Sequence, residues 1–239
     1  MGRRALALGL SSLIAVPAVW LGVGTSGAAP QAVEFSDARL KVEINATDGD
    51  AGLQLFLDGE AWNEVELLDP QGNPIIEVDV SGPAGDYGLT ELFSESSEPP
   101  FEEFPLEQFK ALFPAGTYTF RGTTVDGVAM TGSATLTHDF PDGPEILSPL
   151  ANSRVRRDQT VVRWAPVTTP TGIDIAGYQV LVVQQRPALR VFSADLPATA
   201  TNLTIPAEFL QPRTEYKVEV LAVEESGNQT LTELTFRTR

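Results

Sequence analysis

The sequence predicts an all-β protein made of two tandem β-sandwiches that follow an N-terminal signal peptide. Runs of alternating apolar and polar residues, typical of half-buried strands, recur along the 239-residue chain between Gly, Pro and Asp-Gly turns. In addition, Leu210, Pro212 and Tyr216 lead into one such run. This spacing is typical of the corner at which a β-sandwich buries a tyrosine ring and hydrogen-bonds its hydroxyl to upstream backbone.

Residues 1–28 are predicted to be the signal peptide. Arg3 and Arg4 precede an apolar stretch that ends near Val23, and small residues follow up to a predicted cleavage site after Ala28. An uncleaved anchor is the alternative, because the apolar stretch approaches the roughly 20 residues that span a bilayer. The chain has no cysteine, which excludes a lipid-anchoring cysteine. For an exported chain this favours a bacterial periplasmic or secreted protein.

The charge of the chain is divided between two predicted domains. Residues 29–143 carry 22 acidic and four basic side chains, a net charge of −18, whereas residues 144–239 carry ten of each. The turn-prone segment 140–144, Phe-Pro-Asp-Gly-Pro, lies between the two and predicts a stiff hinge with the domains close together. Such an acidic surface repels nucleic acid and anionic membranes, so neither is an expected partner. The alternatives for it are a solubilising coat and a surface for cations or basic partners.

The second domain is predicted to contain strands at 160–164, 177–183, 189–196, 202–205, 216–224 and 230–238. Trp164 is expected in its core, and the turn-rich segment Glu225–Asn228 forms the loop between the last two strands, the F–G loop. With Trp164 upstream of the Leu210, Pro212 and Tyr216 corner, residues 144–239 resemble a fibronectin type III domain, an immunoglobulin-like sandwich. The resemblance implies a recognition or spacer module. The whole chain is similar to uncharacterised bacterial secreted proteins that carry one such domain, which implies no particular activity.

The first domain is predicted to contain strands at 38–47, 52–58, 64–69, 74–81, 117–125 and 128–138. A short helix should place Leu106, Phe109, Leu112 and Phe113 on one apolar face. Leu112, Pro114 and Tyr118 repeat the spacing of the tyrosine corner in the second domain. We therefore expect a second immunoglobulin-like sandwich with its own corner.

The sequence offers little for catalysis, and no enzyme is predicted. There is no cysteine, and His138 is the single histidine, so a Ser-His-Asp site or a zinc site would depend on one residue. We expect His138 to have a structural role. Trp62 is interpreted as a packing residue, with a sugar-stacking platform as the alternative.

Calcium is the one metal that the sequence admits, because it needs only oxygen ligands. The candidate ligands are four carboxylates in two predicted turns: Asp48, Asp50, Asp58 and Glu60. The segment is not an EF-hand, since Gly52 and Gly59 occupy ligand positions. The alternative is that these Asp-Gly turns only close hairpins, without any cofactor.

The leading functional hypothesis is an exported, non-catalytic binding or structural module that contacts envelope or extracellular proteins. The acidic loop 94–104 would suit a basic, partly apolar protein partner, pinned to the sandwich by Phe101 and Phe104. The alternative hypothesis is a calcium-stabilised adhesion or glycan-binding module. Neither includes stable membrane insertion once the signal is cleaved, and the sequence predicts no oligomeric state.

Overall fold

The computed structural model describes residues 32–239, so the predicted signal peptide lies outside the described residues. Residues Ala32–Arg239 form one compact unit. None of the helices in this part of the chain is long and apolar enough to cross a membrane. The fold is all-β, as predicted.

The first half contains seven strands and two short helices. In chain order the strands are β1 (Val33–Glu34), β2 (Asp37–Asn45), β3 (Asp50–Leu68), β4 (Pro74–Asp79), β5 (Leu89–Glu95), β6 (Gly116–Thr124) and β7 (Ala129–Leu136), and the helices are α1 (Gly82–Tyr87) and α2 (Leu106–Leu112). The second half contains β8 (Ile146–Ser148), β9 (Arg154–Val155), β10 (Val161–Trp164), β11 (Ile175–Gln184), β12 (Arg190–Pro197), β13 (Asn202–Thr204), β14 (Glu215–Glu224) and β15 (Gln229–Thr238).

Strand β3 joins the two layers of the first sandwich, and here the sequence prediction was wrong. The two strands predicted at 52–58 and 64–69 are one strand of 19 residues. Its first half pairs with β2 and β5, and its second half pairs with β4 and β6, with irregular register between Asp58 and Glu64. Gly59 lies in this bend, where a Cβ would come within 2.9 Å of Phe35 and Met130. The glycine therefore serves close packing rather than a hairpin turn.

Both sandwiches contain the predicted tyrosine corner. The Tyr118 hydroxyl donates to the Pro114 carbonyl over 2.9 Å, while the Tyr216 hydroxyl accepts from the Gln211 amide over 2.6 Å. Both rings are buried, and burial raises the pKa of Tyr118 to about 12.

The leucine of the repeated corner spacing does not have the same environment in the two sandwiches. Leu210 is buried in the second core, but Leu112 is 57% exposed, which contradicts its predicted place on the apolar face of α2. Helix α2 instead turns Phe109 into the core, because seven residues provide room for only a narrow apolar stripe. Phe113 and Leu106 are partly buried against the same core.

The second sandwich has a four-stranded sheet, β15–β14–β11–β12, facing a three-stranded sheet, β13–β10–β8, with β9 pairing beside β15. Trp164 is 1% exposed and its ring lies 5.4 Å from that of Tyr178, which confirms its predicted core position. A separate apolar core fills the first sandwich. Strands β1, β5, β8 and β9 and helix α1 were not anticipated from the sequence.

The sheet continues from one sandwich into the other. Residues Gln229–Leu231 of β15 pair in parallel with Glu43–Asn45 of β2. The Ala46 amide donates to the Leu231 carbonyl over 2.9 Å, and the Asp142 amide donates to the Thr169 carbonyl over 2.9 Å. The two halves are therefore close together, as the proline-rich hinge predicts.

The F–G loop is held in this junction by Asn228. Its side chain is 1% exposed, accepts from the Val42 amide over 2.8 Å, and donates to the Thr137 hydroxyl over 2.9 Å. Weaker contacts reach the carbonyls of Thr137 and Asp139 at 3.2 and 3.3 Å. The buried Glu224 carboxylate accepts from the Ser226 and Asn228 amides and so orders the loop from within.

Candidate functional site

A cleft of about 510 Å³ lies where the outer face of the first sandwich meets the F–G loop. Strands β2, β3 and β5 form its floor, and Val223, Ser226 and Gly227 form part of one wall. Gly227 has φ +99°, a left-handed conformation that favours glycine, so the wall keeps its shape because of this residue. The order that Asn228 imposes on the loop thus also shapes the cleft.

An aromatic row crosses the floor of the cleft. Arg39 on β2 is opposite Phe56 on β3, which is opposite Phe93 on β5. The Arg39 guanidinium lies 4.5 Å from the centre of the Phe56 ring, and Phe93 is 62% exposed. Three side chains in register therefore provide an apolar surface with a cation at one end.

A polar row runs beside the aromatic row. The Lys41 ammonium donates to the Gln229 side-chain oxygen over 3.0 Å, and the Gln54 amide donates to the Glu95 carboxylate over 2.7 Å. Gln229 also hydrogen-bonds to Glu43. Burial lowers the pKa of Lys41, since its charge is partly removed from water.

Three carboxylates converge next to this polar row. Glu43, Glu95 and Glu98 each place an oxygen within 4.8 Å of the others. The Glu98 side chain lies over Gly52, where a Cβ would come within 2.9 Å of the Glu98 Cγ. Burial, followed by the charges of Glu95, Asp50 and Glu43, raises the pKa of Glu98 to about 7. Burial also raises the pKa of Glu43.

The four calcium candidates from the sequence do not converge. Asp50 and Asp58 both lie on β3 in continuous register with β2, eight residues and therefore about 26 Å apart. Asp48 lies in the turn before β3, where Asn45 donates to it over 3.3 Å, and Asp58 accepts from Ser36 over 3.0 Å. Glu60 is also on β3, not in the predicted second turn. Because β3 is continuous, these residues cannot form one shared ion site.

The remaining sequence candidates have structural surroundings. Trp62 is fully buried, as a packing residue would be, and cannot stack on a sugar. The His138 Nε2 lies 2.9 Å from the Phe113 carbonyl, which can only accept, so this nitrogen carries the proton. Phe101 and Phe104 pack partly against the first core and hold the acidic loop, as expected.

Comparisons with known proteins bear on the second sandwich. Residues 147–237 match the family model of the fibronectin type III domain. This match confirms the fibronectin type III resemblance. Fibronectin type III domains are commonly binding or structural modules.

Two solved structures from chicken show similarity across most of the chain. The FN1–FN3 domains of chicken CNTN1 are 15% identical with a TM-score of 0.34, and the alignment covers 88% of this chain and 66% of that one. A segment of two fibronectin type III domains from chicken tenascin is 13% identical with a TM-score of 0.31, covering 85% and 99%. The chain thus spans less than two thirds of the CNTN1 structure. No curated protein matches the chain.

Sequence reasoning missed the cleft because it missed β5. Strand β5 supplies Phe93 and Glu95, but its sequence places Leu92 beside Phe93, so apolar residues do not alternate there. The structure buries Leu92 partly against the first core and leaves Phe93 exposed. The available signal was the pair Glu91 and Glu95, which flank Phe93 on the same face of the strand and mark that face as the exposed one.

Proposed function

We propose that the protein is an exported, non-catalytic module whose cleft binds an extended segment of a partner protein. The main support for this proposal is the register of Arg39, Phe56 and Phe93. It exposes an aromatic surface beside the wall that the F–G loop forms. Clefts with an apolar floor and a few fixed polar groups are the usual form of a binding site.

The position of Phe93 on β5 supports an extended ligand. Strand β5 pairs with β3 alone among the described strands, so its other edge has free backbone groups. A partner segment added to that edge would gain main-chain hydrogen bonds and place alternate side chains over the aromatic row.

The charges around the cleft favour a basic, partly apolar segment. Glu91 and Glu95 lie on β5 itself, and Glu98 follows it. A lysine or arginine of the partner would lower the repulsion among the converging carboxylates, while an apolar residue would cover Phe93. The acidic loop 94–104 leads to the same expectation of a basic, partly apolar partner.

Affinity capture from the native envelope, with and without a chelator, tests the proposal. The protein with Phe93→Ser should lose the partner that the unmodified protein retains, irrespective of the chelator. Tyr87→Ser is the matched control, because Tyr87 is an aromatic residue that is 87% exposed on α1. Equal capture by the Phe93→Ser protein would exclude the cleft as the binding site.

The alternative function is a calcium-stabilised adhesion or glycan-binding module. The convergence of Glu43, Glu95 and Glu98 is the observation that favours it. Calcium at a hundredfold excess over its dissociation constant should then add about 2.7 kcal/mol to the stability. Sodium chloride at equal ionic strength is the control, and Glu98→Gln should abolish the calcium increment.

A further inference from the structure

The end of the second sandwich that faces away from the junction carries a dense group of arginines, here named the arginine pole. It consists of segments 153–160, 184–190, 205–215 and 237–239. These contain eight arginines and three carboxylates, a net charge of +5 in a chain whose total is −16: Arg154, Arg156, Arg157, Arg186, Arg190, Arg213, Arg237 and Arg239 against Asp158, Glu208 and Glu215.

Hydrogen bonds hold these four segments together at one end of the sandwich. The Arg237 amide donates to the Ser153 carbonyl over 2.9 Å, and its guanidinium donates to the Arg213 carbonyl over 3.1 Å. The Tyr216 hydroxyl donates to Gln184 over 3.2 Å, which brings the turn containing Arg186 beside the tyrosine corner. The pole is therefore a fixed surface.

Most of this charge is available to a partner. Among the described residues, Arg156 is the one pole arginine in an ion pair, with Asp158 at 2.7 Å. Seven of the eight are exposed, and Arg190 is half-buried over the Phe209 ring. Leu189, 70% exposed between Arg186 and Arg190, adds an apolar contact at the tip.

Within residues 32–239, the first sandwich has acidic side chains outside any ion pair, where two strands place carboxylates opposite one another. Glu64 on β3 is opposite Asp79 on β4, and Glu66 is opposite Glu77. We name these four residues the carboxylate ladder. Like charges in directly opposed positions destabilise a sheet, and Arg121, opposite Glu66 on β6, is the basic residue paired with the ladder in register.

We propose that the arginine pole of one molecule binds the acidic first sandwich of a second copy, at the carboxylate ladder, so that molecules associate head to tail. Arginine binds carboxylates through two parallel hydrogen bonds, which suits a row of paired acids. The two surfaces are different patches of the same chain. Their contact is therefore heterologous and leads to open chains or rings rather than a closed two-fold dimer.

The distance of the arginine pole from the junction with the acidic first sandwich allows this contact despite the negative net charge. Strand β15 runs ten residues from the junction to the arginine pole, about 33 Å. At physiological ionic strength charges are screened over about 8 Å, so the local attraction outweighs the distant repulsion. At very low salt the screening is lost, and the net negative charges of two whole molecules repel each other and weaken the association. Association should therefore be strongest at intermediate salt, unlike an apolar contact.

Sedimentation velocity of the full mature chain tests the proposal with two complementary variants. The pole variant carries Arg154→Gln, Arg157→Gln and Arg213→Gln, and the ladder variant converts the four ladder carboxylates to their amides. The unmodified protein should form concentration-dependent oligomers near 0.1 M salt, where the Debye length is about 10 Å. Each variant alone should associate at least about tenfold more weakly, a loss of about 1.4 kcal/mol or more.

Mixing the two variants gives the decisive result. The mixture should stop at a one-to-one dimer, because each molecule keeps one of the two complementary surfaces. If the ladder variant does not fold, adding excess pole variant to the unmodified protein should shorten its oligomers. Arg163→Gln is the control, since Arg163 is exposed and lies outside the pole. Phe93→Ser should leave the association unchanged, because the cleft is a different surface.

Three outcomes would overturn the proposal. The unmodified protein could remain monomeric at every concentration and salt, or the pole variant could associate as strongly as the unmodified protein. Alternatively, phosphatidylglycerol vesicles could bind the unmodified protein but not the pole variant while both stay monomeric. That last result would assign the arginine pole to an anionic lipid surface instead of a second copy.

Discussion

Asn228→Ala should uncouple the two sandwiches more than any exposed substitution. The change removes an amide that is 1% exposed and makes two short hydrogen bonds, at 2.8 Å to the Val42 amide and 2.9 Å to the Thr137 hydroxyl. Each such bond contributes about 1 kcal/mol net, and a buried donor left without a partner costs about 1–3 kcal/mol. The Val42 amide would become such a donor, so we expect a loss of about 3 kcal/mol.

Urea unfolding of the full chain measures this loss, with Asn202→Ala as the matched control. Asn202 is exposed on β13 and lies in the second sandwich, so its substitution should stay within about 0.5 kcal/mol of the unmodified protein. Hydrogen exchange at the Val42 amide provides the local measurement, because that group loses its acceptor. Exchange there should rise well before exchange in the Trp164 core.

Asn228→Asp tests the hydrogen bonds that the Asn228 side chain donates separately from the one that it accepts. The carboxylate can still accept from the Val42 amide but has no proton to donate to the Thr137 hydroxyl or to the nearby carbonyls. A buried charge facing carbonyl oxygens should therefore destabilise the protein more than alanine does at neutral pH. If Asn228→Ala and Asn202→Ala unfold at the same urea concentration, the assigned role of Asn228 in the junction is refuted.

Three further predictions follow from the site, the junction and the core. The folded state holds a proton on Glu98 up to a pKa of about 7, above the ordinary 4.5, so the stability from this group is full below pH 4.5 and is lost as the pH rises through 7. Because the residue is mostly exposed, we expect no more than about 1 kcal/mol from it, and Glu98→Gln should remove that fall in the free energy of unfolding between pH 5 and 8. Gly143→Ala should destabilise the junction by about 1–3 kcal/mol in urea unfolding, since its Cβ would come within 2.7 Å of Ala46 and collide with Thr232 as well; an unchanged midpoint would mean that the junction can relax. Trp164→Ala should cost about 3–5 kcal/mol by leaving a cavity, and a neutral result in the same assay would contradict its core assignment.

The sequence was sufficient for elements whose signals are local. The long strands of the second sandwich were predicted because they alternate regularly and Tyr216 has a characteristic corner spacing, whereas the short strands β8 and β9 carry no such signal. Tyr118 was found by the same spacing. Leu112 was misplaced because the repeat ignored the turn of α2, where burial depends on how the helix packs on the sheet.

The candidate site was not predictable in the same way, because it depends on contacts that are distant in sequence. Glu43, Glu95 and Glu98 converge only because β5 pairs with β3 and β3 pairs with β2. Asp50 and Asp58 looked like residues of two neighbouring turns because an Asp-Gly pair usually marks a turn. In the structure, Asp58-Gly59 is a bend within a continuous strand, and the predicted calcium ligands separate as a result.

The junction shows how one buried polar side chain can decide the function of a loop. The parallel pairing of β2 with β15 involves three residues on each strand, which is a short contact for joining two domains. Asn228 adds hydrogen bonds to both β2 and the segment after β7, so the F–G loop serves as a connector and as a wall of the cleft. The hydrogen bonds of Asn228 and Glu224 restrain this loop, so we expect it to act as a fixed wall rather than as a mobile recognition loop. Binding is therefore expected at the surfaces that the junction leaves open, the aromatic row on one side and the arginine pole at the far end.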